Sequence, residues 1–290
     1  MNKIRFLFVL MLATSGTIAF AASVDSIDVS STVMNKTYKA AVVLPESYAK
    51  SKAAYPVLYL LHGGGGHFRD WLTSTPDKML VKNLSDQYNI IIVMPEGETF
   101  SWYLDSPVDK GSQFETYLTK EVINKIDNNY RTVRSNKGRV ITGLSMGGHG
   151  ALFLATRHPE LFCAAGSMSG ALDMNTENWK IQSDFSSRVK KGFQQIVGDT
   201  LNSALYGSYS VVNMVDKIKS NGLKLIIDCG VDDFLVEANR ELHRRLVYSR
   251  TAHDYTERPG GHTWDYWQNS LPYHLVFFGR ILKENSVTVQ

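Results

Sequence analysis

Gly143-Leu144-Ser145-Met146-Gly147 is the part of the sequence with the clearest chemistry. The β-rich run Arg139-Val-Ile-Thr142 enters it and the helix-forming stretch Ala151–Arg157 leaves it. A serine on a tight turn between a strand and a helix has no room for side chains beside it, so glycines flank it. The turn holds the hydroxyl up at the carboxyl end of the strand, and the helix behind it favours negative charge nearby. This arrangement suits nucleophilic attack on a carbonyl, with Ser145 as the attacking group.

A serine hydroxyl needs a base, and the base needs an acid to orient it, in chain order serine, acid, histidine. Among the later histidines, His243 sits within the charged stretch Glu241–Arg245, where a solvated or structural role fits. His253 opens a strand-like run, and His274 follows Pro272 inside a helical one. His262 follows Gly260-Gly261 in a loop that can turn toward the sheet edge, and it is the expected base. For the acid, Asp232 and Asp233 both follow the strand-like run Leu223–Cys229, and the residues alone leave the choice open. Whichever does not orient the imidazole would cap the helix beginning near Phe234. Asp228 lies inside the strand and reads as a partnered structural carboxylate.

The developing oxyanion requires two backbone N–H donors. Met146, next after the nucleophile, supplies one, and the loop in Leu60-Leu-His-Gly-Gly-Gly-Gly66 supplies the other. That glycine run lacks the Gly-Lys-Ser/Thr ending of a phosphate loop. His62 and His67 lie close together, but no His-x-x-x-His helix or acidic cluster accompanies them, so neither metal nor cofactor is expected.

These groups need a scaffold that gathers strand ends on one edge. Pro56–Leu61, Ile90–Met94, Arg139–Thr142, Phe162–Ser169 and Leu223–Cys229 read as strands buried on both faces. Val24–Met34 and Thr37–Leu44 read as an antiparallel pair turning at Asn35-Lys36. Phe114–Tyr130 spaces Leu118, Val122 and Ile126 four apart on one helical stripe. Phe234–Tyr248 and Trp264–Leu282 are further helices, the last bent or divided at Pro272. The alternation predicts an α/β fold, a mainly parallel sheet with helices on both faces. Gly170–Asn221 shows no clear strand and reads as a lid-like insertion, near residues 170–221, over the sheet edge. Residues 23–290 are otherwise expected to be one domain. Cys163 and Cys229 fall near the start of one parallel strand and the end of another, beyond bridging distance, so both are expected as buried free thiols.

Lys3 and Arg5, the apolar block Phe6–Leu12 and Ala19-Phe20-Ala21 form a secretory leader, residues 1–22. The expected location is therefore outside the cytoplasm, secreted or periplasmic. No later stretch approaches the ~20 apolar residues of a membrane span. A net charge of +3 from 31 basic and 28 acidic residues, with no long basic run, argues against a nucleic-acid partner.

Leu61-His62-Gly63-Gly64 with Trp71 downstream, Ser101-Trp-Tyr-Leu-Asp-Ser106, Gly143-Leu-Ser-Met-Gly-Gly148, Cys229-Gly-Val-Asp-Asp-Phe-Leu235 and Gly261-His-Thr-Trp264 together resemble the esterase D-type branch of the α/β-hydrolases, from about Lys36 to Leu282. That branch includes tributyrin-type esterases, S-formylglutathione hydrolases, mycolyltransferases and feruloyl or acetyl esterases. The resemblance implies Asp233 as the acid, Gly64 as the first oxyanion donor, and Trp102-Tyr103 near the substrate. Many relatives carry a larger apolar residue at the position of Gly64, which implies a roomier acyl side here. It also implies a serine carboxylic-ester hydrolase acting on a small ester or an acylated saccharide, with acetyl or feruloyl groups on plant polysaccharide favoured by the leader. An acyltransferase and an S-formylglutathione hydrolase-like thioesterase are the alternatives.

Overall fold

Apolar runs that must be covered on both faces belong in the middle of a sheet. In the computed structural model, which describes residues 22–176, 179–180, 183–198 and 203–287, they form the inner strands of one eight-stranded sheet. The strands are β1 (Ser23–Ser31), β2 (Lys36–Leu44), β3 (Val57–Leu61), β4 (Ile91–Pro95), β5 (Arg139–Gly143), β6 (Ala164–Met168), β7 (Lys224–Gly230) and β8 (Asp254–Arg258). Their order is β1-β2-β4-β3-β5-β6-β7-β8. β1 and β2 pair antiparallel to each other and β2 antiparallel to β4, while the rest run parallel. Every residue of β3, β4, β5 and β6 is buried, as uninterrupted hydrophobicity requires. The N-terminal hairpin turns at Thr32–Asn35, with Asn35 in the left-handed region (φ 50°) that asparagine tolerates.

One face packs against Met146–Arg157, Val236–Tyr248 and the rod that runs through Phe114–Thr116, Tyr117–Val122 and Ile123–Asn129. The Leu118, Val122 and Ile126 stripe is buried there, and the rod widens to π-helical geometry over Tyr117–Val122. The opposite face is covered by Leu80–Tyr88 and the final helix, Trp264–Glu284. Among the described residues no helix is long and apolar enough to cross a membrane. The expected leader, apart from Ala22, lies outside the described residues.

Two expectations are corrected. Pro272 does not divide the final helix, which runs through it. Leu271, His274, Leu275 and Phe278 are buried around the proline, and that packing outweighs the local loss of one backbone hydrogen bond. Among its described residues the segment after Gly170 has no strand, as expected, and contains the helices Ser183–Val197, Ser203–Tyr209 and Val215–Asn221. Both cysteines are free, but only Cys229 is buried, because Cys163 just precedes β6 at the amino edge of the sheet. Ala164 pairs with Lys224, so Cys229 lies about 17 Å further along β7, too far to bridge.

Asp228 is a structural carboxylate, as its strand position suggests. It is ion-paired with Arg258 of β8 and accepts a hydrogen bond from Ser270 Oγ of the final helix at 2.8 Å. Burial raises its pKa, and the Arg258 charge opposes that shift. Removing the carboxylate by Asp228→Ala leaves Arg258, only partly exposed, without its partner. The expected loss is about 3 kcal/mol, read as a lower urea midpoint at unchanged m-value. A loss under ~0.5 kcal/mol would mean the pair does not tie β7, β8 and the final helix together.

Candidate active site

The turn after β5 is built from backbone contacts that leave no space for a Cβ. One placed on Gly143 would lie 2.6 Å from the Gly147 carbonyl, and one on Gly147 would lie 2.5 Å from His62 O. Glycine at these two positions lets Met146–Arg157 start directly against the end of β3. Ser145 itself has φ 55° and ψ −118°, a conformation unfavourable for a side-chain-bearing residue. It is held by Ser145 N–H donating to Met168 O (2.9 Å) and by Ala171 N–H donating to Ser145 O (3.3 Å). The strain lifts Oγ out of the turn.

His262 comes to Ser145 by a second close backbone approach. A Cβ on Gly230 would lie 2.2 Å from Gly260 O, and Asp232 N–H donates to that same carbonyl at 3.0 Å. Gly260 has φ 131°, so the Gly260-Gly261 pair supplies close contact between the loops after β7 and β8. Thr263 then caps the final helix through its side chain, which fixes the direction in which His262 leaves the loop. His262 Nδ1 lies 2.9 Å from Asp233 Oδ2 and 3.1 Å from Oδ1, and Nε2 lies 2.9 Å from Ser145 Oγ. A carboxylate can only accept, so Nδ1 carries the proton and Nε2 is free to accept from the serine hydroxyl.

Asp233, and not Asp232, faces the imidazole, as the resemblance implied. Asp233 is buried and also accepts from Leu235 N–H at 2.9 Å. Asp232 is exposed and caps nothing, because the helix begins only at Val236, after Asp233 has already satisfied the turn. The remaining histidines are elsewhere. His243 Nδ1 and His253 Nε2 pair at 2.8 Å, and His274 hydrogen-bonds Thr142 Oγ1 at 2.9 Å. Burial pushes His274 down to about 3 and His149 down to about 4, so both rings stay neutral. Neither takes part in the relay.

The Gly64 and Met146 amides are candidates for the oxyanion. Among the described residues no carbonyl or side chain accepts either N–H. The Gly64 loop is pinned by His62, which is buried and donates from Nδ1 to Gly63 O at 2.8 Å. Gly97 N–H donates to its Nε2 at 2.9 Å, so both ring nitrogens are occupied structurally. His67 is exposed and pairs with Asp70. The room expected beside Gly64 is absent: a Cβ there would lie 2.8 Å from the ring of Phe100, which fills the space.

These groups sit at the base of a cleft of about 280 Å³. Trp102 lines it, with its ring edge-on to Phe193. Tyr103, expected beside the substrate, does not: its hydroxyl donates to His62 O at 3.1 Å and its ring fills the space against Gly97 and Gly150. Both residues have φ 56°, and this double left-handed step turns adjacent side chains apart, one toward the cleft and one into the core. The sequence reading gave no role in the cleft to Phe100, Trp179, Phe234, Trp264 or Trp267. The signal for the last two was their position just after His262. Phe234 and Trp267 pack on the imidazole with ring centroids 4.4 and 4.9 Å away.

Asp233→Asn is expected to reduce kcat on 4-nitrophenyl acetate by on the order of 10³–10⁴, because the amide no longer selects the Nδ1–H tautomer. Asp232→Asn should stay within about twofold. Equal losses in the two variants would overturn the assignment of the acid.

With this geometry in view, likeness to known proteins is informative. Residues 31–278 match the model of the Esterase family. An acetyl esterase of Caldicellulosiruptor saccharolyticus is 32% identical over 219 residues, 74% of this chain and 79% of that protein. An esterase of Mycobacterium tuberculosis is 30% identical over 240 residues, 76% of this chain but only 51% of that longer protein. The solved structure of a ferulic acid esterase superposes with a TM-score of 0.75 at 29% identity, covering 91% of this chain and 99% of that one. The chain thus belongs to the Esterase family and is a carboxylic-ester hydrolase with the α/β-hydrolase fold.

Proposed function

We propose that the chain works outside the cytoplasm as a serine esterase, releasing acetyl or feruloyl groups from plant polysaccharide or related small esters. The observation that carries the reading is the relay from Ser145 through His262 to Asp233 at the floor of an aromatic cleft. His262 takes the Ser145 proton as Oγ attacks the ester carbonyl, and the Gly64 and Met146 amides receive the oxyanion. The alcohol departs with the proton from His262, and water then releases the acid from the acyl-enzyme.

The acyl and alcohol classes draw support from the relatives named acetyl esterase and ferulic acid esterase. The aromatic rings of Trp102, Trp264 and Phe234 in the cleft lining suit a planar acyl group or a sugar ring. The segment near 170–221 acts in this reading as a lid, since its Trp179 and Val189 complete the cleft wall. Lys3, Arg5 and the apolar block before Ala21 support export.

Ser145→Ala should lower turnover of 4-nitrophenyl acetate, methyl ferulate and acetylated xylan by at least ~10⁴-fold and abolish labelling by a fluorophosphonate. A variant that keeps its activity would overturn the nucleophile. A wild-type enzyme that cleaves the nitrophenyl ester but neither methyl ferulate nor acetylated xylan would overturn the substrate class alone.

A further inference from the structure

The cleft wall carries one charge outside the relay. Among the described lining residues Asp70 is the one acidic side chain, and no lysine or arginine lines the cleft. Asp70 opens the short helix Asp70–Thr73 just after the glycine loop, with its side chain only 15% exposed. Its Oδ2 accepts from His67 N–H at 3.1 Å, and a Cβ on Gly66 would lie 2.4 Å from that oxygen. The carboxylate is therefore wedged under the loop that leads from Gly64.

The neighbouring histidine does not cancel this charge. His67 Nε2 lies 3.2 Å from Asp70 Oδ1, while Arg69 N–H donates to His67 Nδ1 at 3.1 Å. With Nδ1 accepting, the single ring proton is on Nε2 and the imidazole is neutral. A second carboxylate, Glu96, stands behind the same loop, accepting from Phe68 N–H at 3.3 Å and lying 3.4 Å from His62 Nε2. The loop thus rests on negative charge, and among the described residues no lysine or arginine faces the cleft to balance it.

Asp70 lines the same cleft as His262, the group that must protonate the departing oxygen. Its neighbour Trp71 meets Trp264 edge-on at 5.3 Å, Trp264 meets Trp267 at 5.3 Å, and Trp267 meets His262 at 4.9 Å. This row of rings joins the helix of Asp70 to the imidazole that must protonate the departing oxygen. A carboxylate on that part of the substrate would enter a partly desolvated field of like charge.

We infer that Asp70 is a specificity-determining residue that restricts the enzyme to esters of uncharged alcohols and rejects anionic leaving groups. This rests on the serine-esterase reading above and narrows it: a neutral saccharide hydroxyl is accepted, whereas a thiol or alcohol carrying carboxylates is disfavoured. Asp70 does not touch the reacting atoms, and its effect is electrostatic.

The test compares 5-acetoxy-2-nitrobenzoate with its neutral primary amide, esters alike in size that differ in one negative charge. In the wild type the anion-to-amide ratio of kcat/KM should be well below one and should rise as salt is raised from about 20 to about 500 mM, because screening weakens the repulsion. In Asp70→Asn and Asp70→Ser the ratio at low salt should increase about tenfold and lose most of its salt dependence. A disturbed loop or oxyanion geometry lowers both rates together and leaves the ratio alone. A wild-type ratio indifferent to salt, or a ratio changed less than about twofold in both variants, would overturn the inference. If the wild type cleaves neither ester, the esterase reading itself fails, so the two failures are distinguishable.

Discussion

The site depends on the absence of a side chain at Gly147. The first turn of Met146–Arg157 lies against the carbonyls of Leu61 and His62, at 2.8 and 2.5 Å from where a Cβ would be. That contact holds the end of β3, which leads into the Gly64 loop, against the turn after β5, which leads into Met146. The parallel β3–β5 pairing, with Leu61 opposite Gly143, sets up the approach, and the strained Ser145 backbone completes it. An added methyl group would have to push the helix away from β3, and the two amides proposed to hold the oxyanion would separate with it. Packing and chemistry are here a single constraint.

A second close approach is built the same way on the other side of the nucleophile. Gly230 and Gly260 touch through their backbones, and the carbonyl of Gly260 receives Asp232 N–H. The loops after β7 and β8 are thereby joined before any side chain of the relay is considered. Asp233 and His262 then meet because their backbones are already fixed. Histidine orientation is narrowed further by Phe234 and Trp267, whose rings crowd two sides of the imidazole. Little rotational freedom is left to be lost when the substrate arrives, which is how positioned groups lower a barrier.

Much of this was legible in the residues, for identifiable reasons. Ser145 and His262 were readable because steric demand and chain order confine each to a recognisable setting. The inner strands were readable because a short, uninterrupted apolar run fits a strand covered on both faces. The choice between Asp232 and Asp233 was not readable from the residues, since adjacent carboxylates differ only in which way the turn sends them; the resemblance pointed to Asp233, and the geometry agrees. Tyr103 was misread because two consecutive left-handed residues reverse the direction of a side chain, and nothing in Trp102-Tyr103 announces that step. Gly64 misled for a related reason. A glycine suggests space, but Phe100 comes from a different loop to occupy it. Pro272 shows the limit of local rules, since the packing of Leu271, Leu275 and Phe278 holds the helix through it.

Three carboxylates near the site differ in what surrounds their charge. Asp233 is buried, and its oxygens accept from His262 Nδ1–H and Leu235 N–H, so its charge orients the base. Asp228, only five residues earlier, pairs with Arg258 and Ser270 and holds β7, β8 and the final helix together. Asp70 differs from both, because its partners are a backbone amide and a neutral imidazole, and no cation among the described residues balances it. An unbalanced carboxylate under the loop that carries an oxyanion donor works against the negative charge that develops there. The structure tolerates this because the same carboxylate shapes the glycine loop by accepting His67 N–H. Its charge then acts on whatever group departs past Trp264. The loop that stabilises the transition state and the wall that discriminates among alcohols are thus anchored by one side chain, and a change at Asp70 must be read at both.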